Sequence, residues 1–331
     1  MESEPEYSYK KSEPGVENID AIELLRLQTE LAKSEVTGLE PKIHLPHPLS
    51  VCFSVIDKCD RSCKHCMSSS NLHASNGMDT KHVKTMFSKL KDSGVMRIDI
   101  VGGEPFLRSD ILELTEYAND ISLRPTITTH GGLITQEIAE ELAKLGVTVQ
   151  VSIDGDYEQN DRLRGRGSYH AAVRGMHLLS QNRVPLRISC TIQKSNGNAF
   201  EHALDLAKEV GAKSVYVNFI CAQGRAGVLR DRISLTSEEE MTVRVNVRNL
   251  ASESQENERL IEMKQADRGG VFISSNGDFH SQAQFEEDRN YFGNIFYNDI
   301  REMWQSTNIN HRIHLLQYLQ HPLMYKPLTY S

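Results

Sequence analysis

No apolar run in this chain is long enough to cross a bilayer, and the N-terminus "MESEPEYSYKK" has no apolar core of a secretion signal. Both absences point to the cytoplasm, where thiols stay reduced. Cysteine occurs only six times and at uneven spacing, so a disulfide framework is excluded as the source of stability. There is no basic stripe or Lys/Arg cluster, and neither a nucleic acid nor a membrane is the expected partner. The net charge of −8 is uneven: residues 1–48 carry ten acidic and five basic side chains, so −5 of it sits in that short segment. The 331 residues are ample for one large α/β domain or two smaller ones.

Against this background the segment 18–35 has helical apolar spacing, with Asp20 as its cap, and follows a polar stretch, 1–16, that reads as disordered. "PKIHLPHP" (41–48) is an extended connector, because proline and the residue before it avoid helix. From residue 49 the pattern becomes strand then helix. Strands are predicted at 50–56, 97–101, 125–129, 147–153, 186–192 and 214–220, and helices at 81–94, 136–146, 168–181 and 199–211. This alternation predicts a parallel sheet curved into a partial (β/α)6 TIM-like barrel. Past about residue 226 it stops. A helix at 234–254, a hairpin at 269–282 turning on Asn-Gly, and a helix at 297–306 make a small α+β C-terminal subdomain. The division is therefore 1–48, an acidic extension; 49–225, the partial barrel; and 226–331, the tail.

In a β/α barrel, chemistry gathers at the C-terminal strand ends. The first such end runs into "DKCDRSCKHC", placing Cys59, Cys63 and Cys66 within eight positions. Three thiolates at this spacing suit three irons of a 4Fe–4S cube, leaving the fourth iron open. Structural zinc prefers four ligands, and His65 is available as a fourth, so zinc stays as the alternative. The second strand ends in Gly102-Gly103-Glu104-Pro105, where glycine lets a ligand approach the backbone.

Taken together, these motifs resemble the radical S-adenosylmethionine (SAM) superfamily. "TTHGGLI" (128–134), "VSIDG" (151–155), "DRLRGRGSY" (161–169) and "CAQGRAG" (221–227) extend the similarity along successive strand ends. "FGNIFYNDIREMWQS" (292–306) resembles the end of SPASM and Twitch tails. The resemblance implies a 4Fe–4S cluster on Cys59, Cys63 and Cys66. It implies SAM contacts from His65, Gly102, Gly103, Glu104, Ser152, Asp154 and Arg164. It also implies an external one-electron donor such as flavodoxin or ferredoxin, and cleavage of SAM to a 5′-deoxyadenosyl radical that abstracts a substrate hydrogen. His65 stands where many relatives have an aromatic residue.

The tail departs from those families. No cysteine follows Cys221; where tail cysteines are expected the chain reads "ADRGG" (266–270) and "DFHSQ" (278–282), so auxiliary clusters lack ligands. The expectation is a single cluster and a redox-neutral reaction on a natural-product precursor: epimerisation, decarboxylation, elimination or rearrangement. A dehydrogenase or cross-linking enzyme that returns its electron to the same cluster is the alternative, and a non-enzymatic zinc or iron–sulfur protein is another. The substrate is a ribosomal peptide or a sugar, nucleoside or aminoglycoside. Cys221, at the end of the sixth strand, is either a hydrogen-atom donor or a small packed hydrophobe. Cys52 and Cys190 are read as core residues inside strands 1 and 5, and Trp304 as core of the tail helix.

Overall fold

A computed structural model describes residues 21–37, 43–263, 270–281, 289–307 and 311. The stretch 1–16, the Asp20 cap and most of "ADRGG" lie outside these residues. One sheet runs through the fold. Its strands are β1 (Ser50–Ser54), β2 (Arg97–Val101), β3 (Arg124–Thr129), β4 (Thr148–Ser152), β5 (Leu186–Ile192), β6 (Ser214–Phe219), β7 (Ile261–Met263), β8 (Val271–Ile273), β9 (Asp278–Ser281) and β10 (Tyr291–Asn294). Their order is β10-β9-β8-β1-β2-β3-β4-β5-β6-β7. From β8 to β7 every pairing is parallel, and β8-β9 and β9-β10 are antiparallel. The sheet is a curved, unclosed barrel wall.

Strand alternation explains its two faces. Val51, Phe53, Ile98, Ile100, Val149, Val151, Val215 and Val217 turn outward and are buried against helices. These helices are α1 (Ala21–Thr37), α2 (Thr80–Asp92), α3 (Ile111–Asp120), α4 (Gln136–Leu145), α5 (Tyr157–Arg164), α6 (Ser168–Gln181) and α7 (Ala199–Val210). Helix α2 buries Val83, Met86, Phe87 and Leu90, one stripe at helical spacing. Helices α4 and α7 stop at Gly146 and Gly211, both left-handed, as their terminal glycines predict. Helix α3 was not anticipated. Its buried stripe of Ile111, Leu114, Thr115 and Ala118 has only two large apolar side chains, so its apolar pattern is weak.

The inner face is polar. Cys52, Asp99, Thr128, Gln150 and Asn218 are only partly buried, since no inner layer of side chains fills the bore. Gln150 donates to Thr128 Oγ1 at 3.3 Å, and Asn218 to Ser189 Oγ at 2.9 Å.

The tail joins the barrel sheet at both ends: β7 pairs with β6 and β8 pairs with β1. β7 was not expected, because three residues carry no readable alternation. It is secured by an ion pair from Arg187 Nη2 on β5 to Glu262 Oε2, 2.6 Å long and nearly buried. The hairpin β8–β9 turns where Asn276-Gly277 predicts, with Gly277 N donating to Ser274 O at 3.0 Å. The helix Ile300–Gln305 is capped by Asp299 and buries Trp304 completely. Trp304 Nε1 donates to Leu45 O at 2.7 Å, and Gln305 Nε2 donates to the same carbonyl at 3.0 Å. The tail thus grips the connector that leads into β1. Trp304→Phe should lower stability by about 1–2 kcal/mol in urea unfolding, since Gln305 still satisfies the Leu45 carbonyl. An unchanged midpoint would show that this grip contributes nothing.

Candidate active site

Residues 55–78 leave the end of β1 and fold back over the barrel mouth. Cys59 N donates to Asn71 O at 3.0 Å, and Asp57 N and Lys58 N both donate to Ser75 O. The loop that results is pinned from two further directions. Lys64 N donates to Leu163 O on α5 at 2.9 Å. Arg225, after β6, donates from Nε to Cys63 O at 2.9 Å and from Nη1 to Ser70 O at 2.8 Å, while its backbone N donates to Cys66 O at 3.1 Å.

Cys59, Cys63 and Cys66 line one cavity of about 330 Å³ at the C-terminal ends of β1 to β6. None of the six cysteines is in a disulfide. Burial pushes the Cys59 thiol up to about 12 and raises Cys63 as well. Burial keeps these thiols protonated by themselves, and a cation bound between them would displace the protons. Three buried nitrogens on the same cavity lack any hydrogen-bond partner: Arg61 Nε, His65 Nδ1 and Arg225 Nη2. Two unmatched guanidinium donors and one ring nitrogen with a free lone pair, gathered beside three thiols, suit a polar guest with acceptor atoms, and a 4Fe–4S cluster with SAM fits that description.

The other anticipated residues divide into two sets. Gly102, Gly103, His65, Ser152, Arg164 and Cys221 are on the cavity wall. Glycine is required at 103, where a Cβ would collide with the Lys58 carbonyl. Glu104 and Asp154 are completely buried behind the wall. Glu104 accepts from Thr129 Oγ1 at 2.7 Å, from His130 N at 3.0 Å and from Phe106 N at 3.1 Å. His130 Nε2 is 2.8 Å from Asp60 Oδ1, and this hydrogen bond, more than any other cause, holds Asp60 below the usual carboxylate range.

Asp154 is the hub behind the wall. Its Oδ2 takes Arg164 Nε at 2.6 Å and His65 Nε2 at 3.0 Å, and its Oδ1 takes Thr191 N at 2.9 Å. Burial alone would raise this carboxyl, but the Arg164 guanidinium and the His65 ring outweigh it and hold it well below the carboxylate range. With Nε2 donating to Asp154, His65 cannot use that nitrogen as a fourth zinc ligand.

Cys52 corrects the expectation drawn from its strand position. It sits half-buried on the cavity wall, because alternation sends Val51 and Phe53 outward and Cys52 into the unfilled bore. Cys190, on β5, is fully buried in the core as expected. Arg225 was missed as a site residue. Its signal was only the "GRAG" turn after β6, and a loop arginine reaches the first loop by a fold no local pattern reveals.

Residues 53–207 match the family described as the radical SAM superfamily. This segment of the chain is a radical SAM domain, and enzymes of that superfamily use a 4Fe–4S cluster and SAM. Over 61% of its length the chain is 29% identical to the AdoMet-dependent heme synthase of Nitratidesulfovibrio vulgaris, covering 59% of that protein. Over 59% it is 32% identical to mycofactocin maturase MftC of Mycolicibacterium smegmatis, covering 50% of it. The chain spans roughly half the length of these curated relatives. Streptococcus suis SuiB bound to S-adenosylmethionine shares the fold with a TM-score of 0.66 at 19% identity, covering 87% of this chain and 71% of that one. SuiB has also been solved bound to its precursor peptide SuiA, with a TM-score of 0.65 at 18% identity, covering 92% of this chain and 73% of that one.

Two outcomes test the hub. Asp154→Asn leaves the Arg164 charge buried without its counter-charge and should cost about 3 kcal/mol in urea unfolding. The folded-state shift of Asp154 is downward, so its stabilisation is complete above the ordinary carboxyl range and is lost as pH falls through it. Asp154→Asn should therefore lose less stability than the parent between neutral and acid pH. Equal acid sensitivity in the two proteins would show that the carboxylate charge is not what holds the loop.

Proposed function

We propose that the protein is a radical SAM enzyme that removes a hydrogen atom from a natural-product precursor and completes a redox-neutral modification. The observation that carries this reading is the placement of Cys221 on the same cavity wall as the three cluster cysteines. Cys59, Cys63 and Cys66 would hold the cluster, and Gly102 and Gly103 would let the backbone approach SAM. Ser152 and the unshared part of the Arg164 guanidinium would meet its ribose and carboxylate. His65 and Arg225 would turn their unmatched nitrogens toward the same groups. When bound, the cluster and SAM supply a radical able to take hydrogen from a C–H bond.

Cys221 Sγ–H is the natural partner for the substrate radical so formed, because S–H bonds are weaker than most C–H bonds. In the return step the Cys221 S–H bond breaks, a substrate C–H bond forms, and the sulfur is left one electron and one proton short. An external one-electron donor, with a proton from water, restores it. No cysteine follows Cys221, which favours such a return over electron export through an auxiliary cluster. MftC is named a maturase and SuiB is seen with a precursor peptide, so both support a biosynthetic precursor as substrate. We keep 1–48, 49–225 and 226–331 as a functional division, with the strands of the one sheet drawn from the last two.

Anaerobic turnover in D2O tests the return step. Product should carry solvent deuterium at one carbon, and Cys221→Ala should lose that label while still forming 5′-deoxyadenosine. Product formed equally well and without label by both proteins would sink the thiol role. Replacing Cys59, Cys63 and Cys66 with alanine should abolish both the absorbance near 400 nm after reconstitution and 5′-deoxyadenosine formation. A protein that kept either would not be using this loop.

A further inference from the structure

Beside the cysteine-lined cavity is a second cavity of about 420 Å³. The end of β1, the segment following Cys66 and the β8–β9 hairpin build its walls. Met67, Ser68 and Phe272 border both cavities, so whatever fills the second lies directly against the first. Six of its twelve lining residues are serines, and Gln223 and Asn276 add two amides. Ser54, Ser274 and Ser275 already give their protons to Ile56 O, Asn276 and Asp57, so they meet a ligand chiefly as acceptors, and the wall suits a ligand rich in hydroxyl donors. Two charged groups complete it. Asp57 accepts from Ser275 Oγ at 2.6 Å and from Ser54 Oγ at 3.3 Å, which fixes its carboxylate. The Arg289 guanidinium lies 5.1 Å from the centroid of the Phe272 ring. Apolar surface is confined to Phe272 and Met67.

The same walls are poorly suited to an extended peptide. Peptides are commonly held by a free strand edge or by apolar side-chain pockets. Here β1 lies between β2 and β8, β8 between β1 and β9, and β9 between β8 and β10, so no strand of this wall has a free edge. In tails of the resembling type, this hairpin is where auxiliary-cluster cysteines are expected; in this chain it presents Ser274, Ser275, Asn276 and Ser281 to the cavity.

We propose that this cavity is the substrate site and that it takes a polyhydroxylated small molecule, a sugar or cyclitol, with or without one amine. The serines and amides pair with the ring hydroxyls, Asp57 anchors a hydroxyl or the amine, and Phe272 covers the C–H face of the ring. Met67, Ser68 and Phe272, shared with the first cavity, set the bound ring against the wall that both cavities use. The inference rests on the radical-enzyme reading above.

The test is calorimetric titration of the anaerobically reconstituted full chain with D-glucose, D-glucosamine, myo-inositol and a capped alanine tripeptide. At least one of the three polyols should bind and the peptide should not. Ser275→Leu and Asn276→Phe should each weaken polyol binding by about tenfold or more. Asn276 is exposed in the hairpin turn, so its variant reads the site even where Ser275→Leu fails to fold. Binding by none of the polyols, polyol binding unaltered by either variant, or binding of the tripeptide at this site would each overturn the proposal. Absence of 5′-deoxyadenosine from the parent protein would instead overturn the radical-enzyme reading, because the titration reads the cavity independently of turnover.

Discussion

A single buried carboxylate organises the mouth of this barrel. Asp154 closes β4 and joins three elements that the chain brings there separately: the cysteine loop through His65, α5 through Arg164, and the end of β5 through Thr191. Its backbone is held as firmly as its side chain, with Asp154 N accepted by Asn160 Oδ1 at 3.0 Å and its carbonyl taken by Asn196 Nδ2 at 3.1 Å. A charge this deep is costly unless fully paired. Here the pairing is complete, and its consequence is geometric: the loop carrying three thiols cannot shift against α5 without exposing an unpaired ion. Arg225 performs the complementary task from the far side of the mouth by tying the carbonyls of Cys63 and Ser70. The thiols are therefore presented from a loop whose position is set before any ligand arrives, which reduces the ordering cost of binding.

The unclosed sheet and the polar bore belong to the same design. A closed eight-stranded barrel fills its interior with layers of branched apolar side chains. In this fold five of the six central strands point Cys52, Asp99, Thr128, Gln150 and Asn218 inward, and the interior stays open at the mouth. The outward face alone supplies the apolar core, and eight parallel strands are reached only because the tail lends β7 and β8. The tail is consequently part of the wall beside the first loop, which explains how the hairpin comes to border both cavities.

Much of this was legible in the sequence. The six strands fall where alternation of apolar residues places them, with ends within two residues, and the terminal glycines mark the stops of α4 and α7. The three cysteines and the Gly102-Gly103 turn meet because each follows a strand end of a parallel barrel, a relation that topology guarantees. What stayed hidden has physical causes. β7 is only three residues long, and α3 buries just two large apolar side chains, Ile111 and Leu114, so neither shows a readable period. The inward turn of Cys52 depends on which face of β1 the helices cover, and a thiol's chemistry does not disclose that. Glu104 and Asp154 look like ligand contacts from motif position, yet the fold surrounds both with protein donors before a ligand is considered. Arg225 is invisible because its partners are carbonyls more than 150 positions away.

That last contrast bears on how the site should be understood. The charged groups divide by depth. The two carboxylates, Glu104 and Asp154, take hydrogen bonds from the protein's own loops, while Arg61 Nε, Arg225 Nη2 and the His65 Nδ1 lone pair, all without partners among the described residues, belong to residues on the cavity wall. A buried polar atom without a partner is a standing cost of about 1–3 kcal/mol. Other such atoms are scattered through the fold, but these three gather beside three thiols. Their gathering follows directly if the cavity is shaped for a polar guest with acceptor atoms. The second cavity, lined by hydroxyls, amides, one carboxylate and one guanidinium, suits a polar guest of little net charge. The two cavities differ in kind as cofactor and substrate sites do, and their shared wall of Met67, Ser68 and Phe272 is where the two guests would meet.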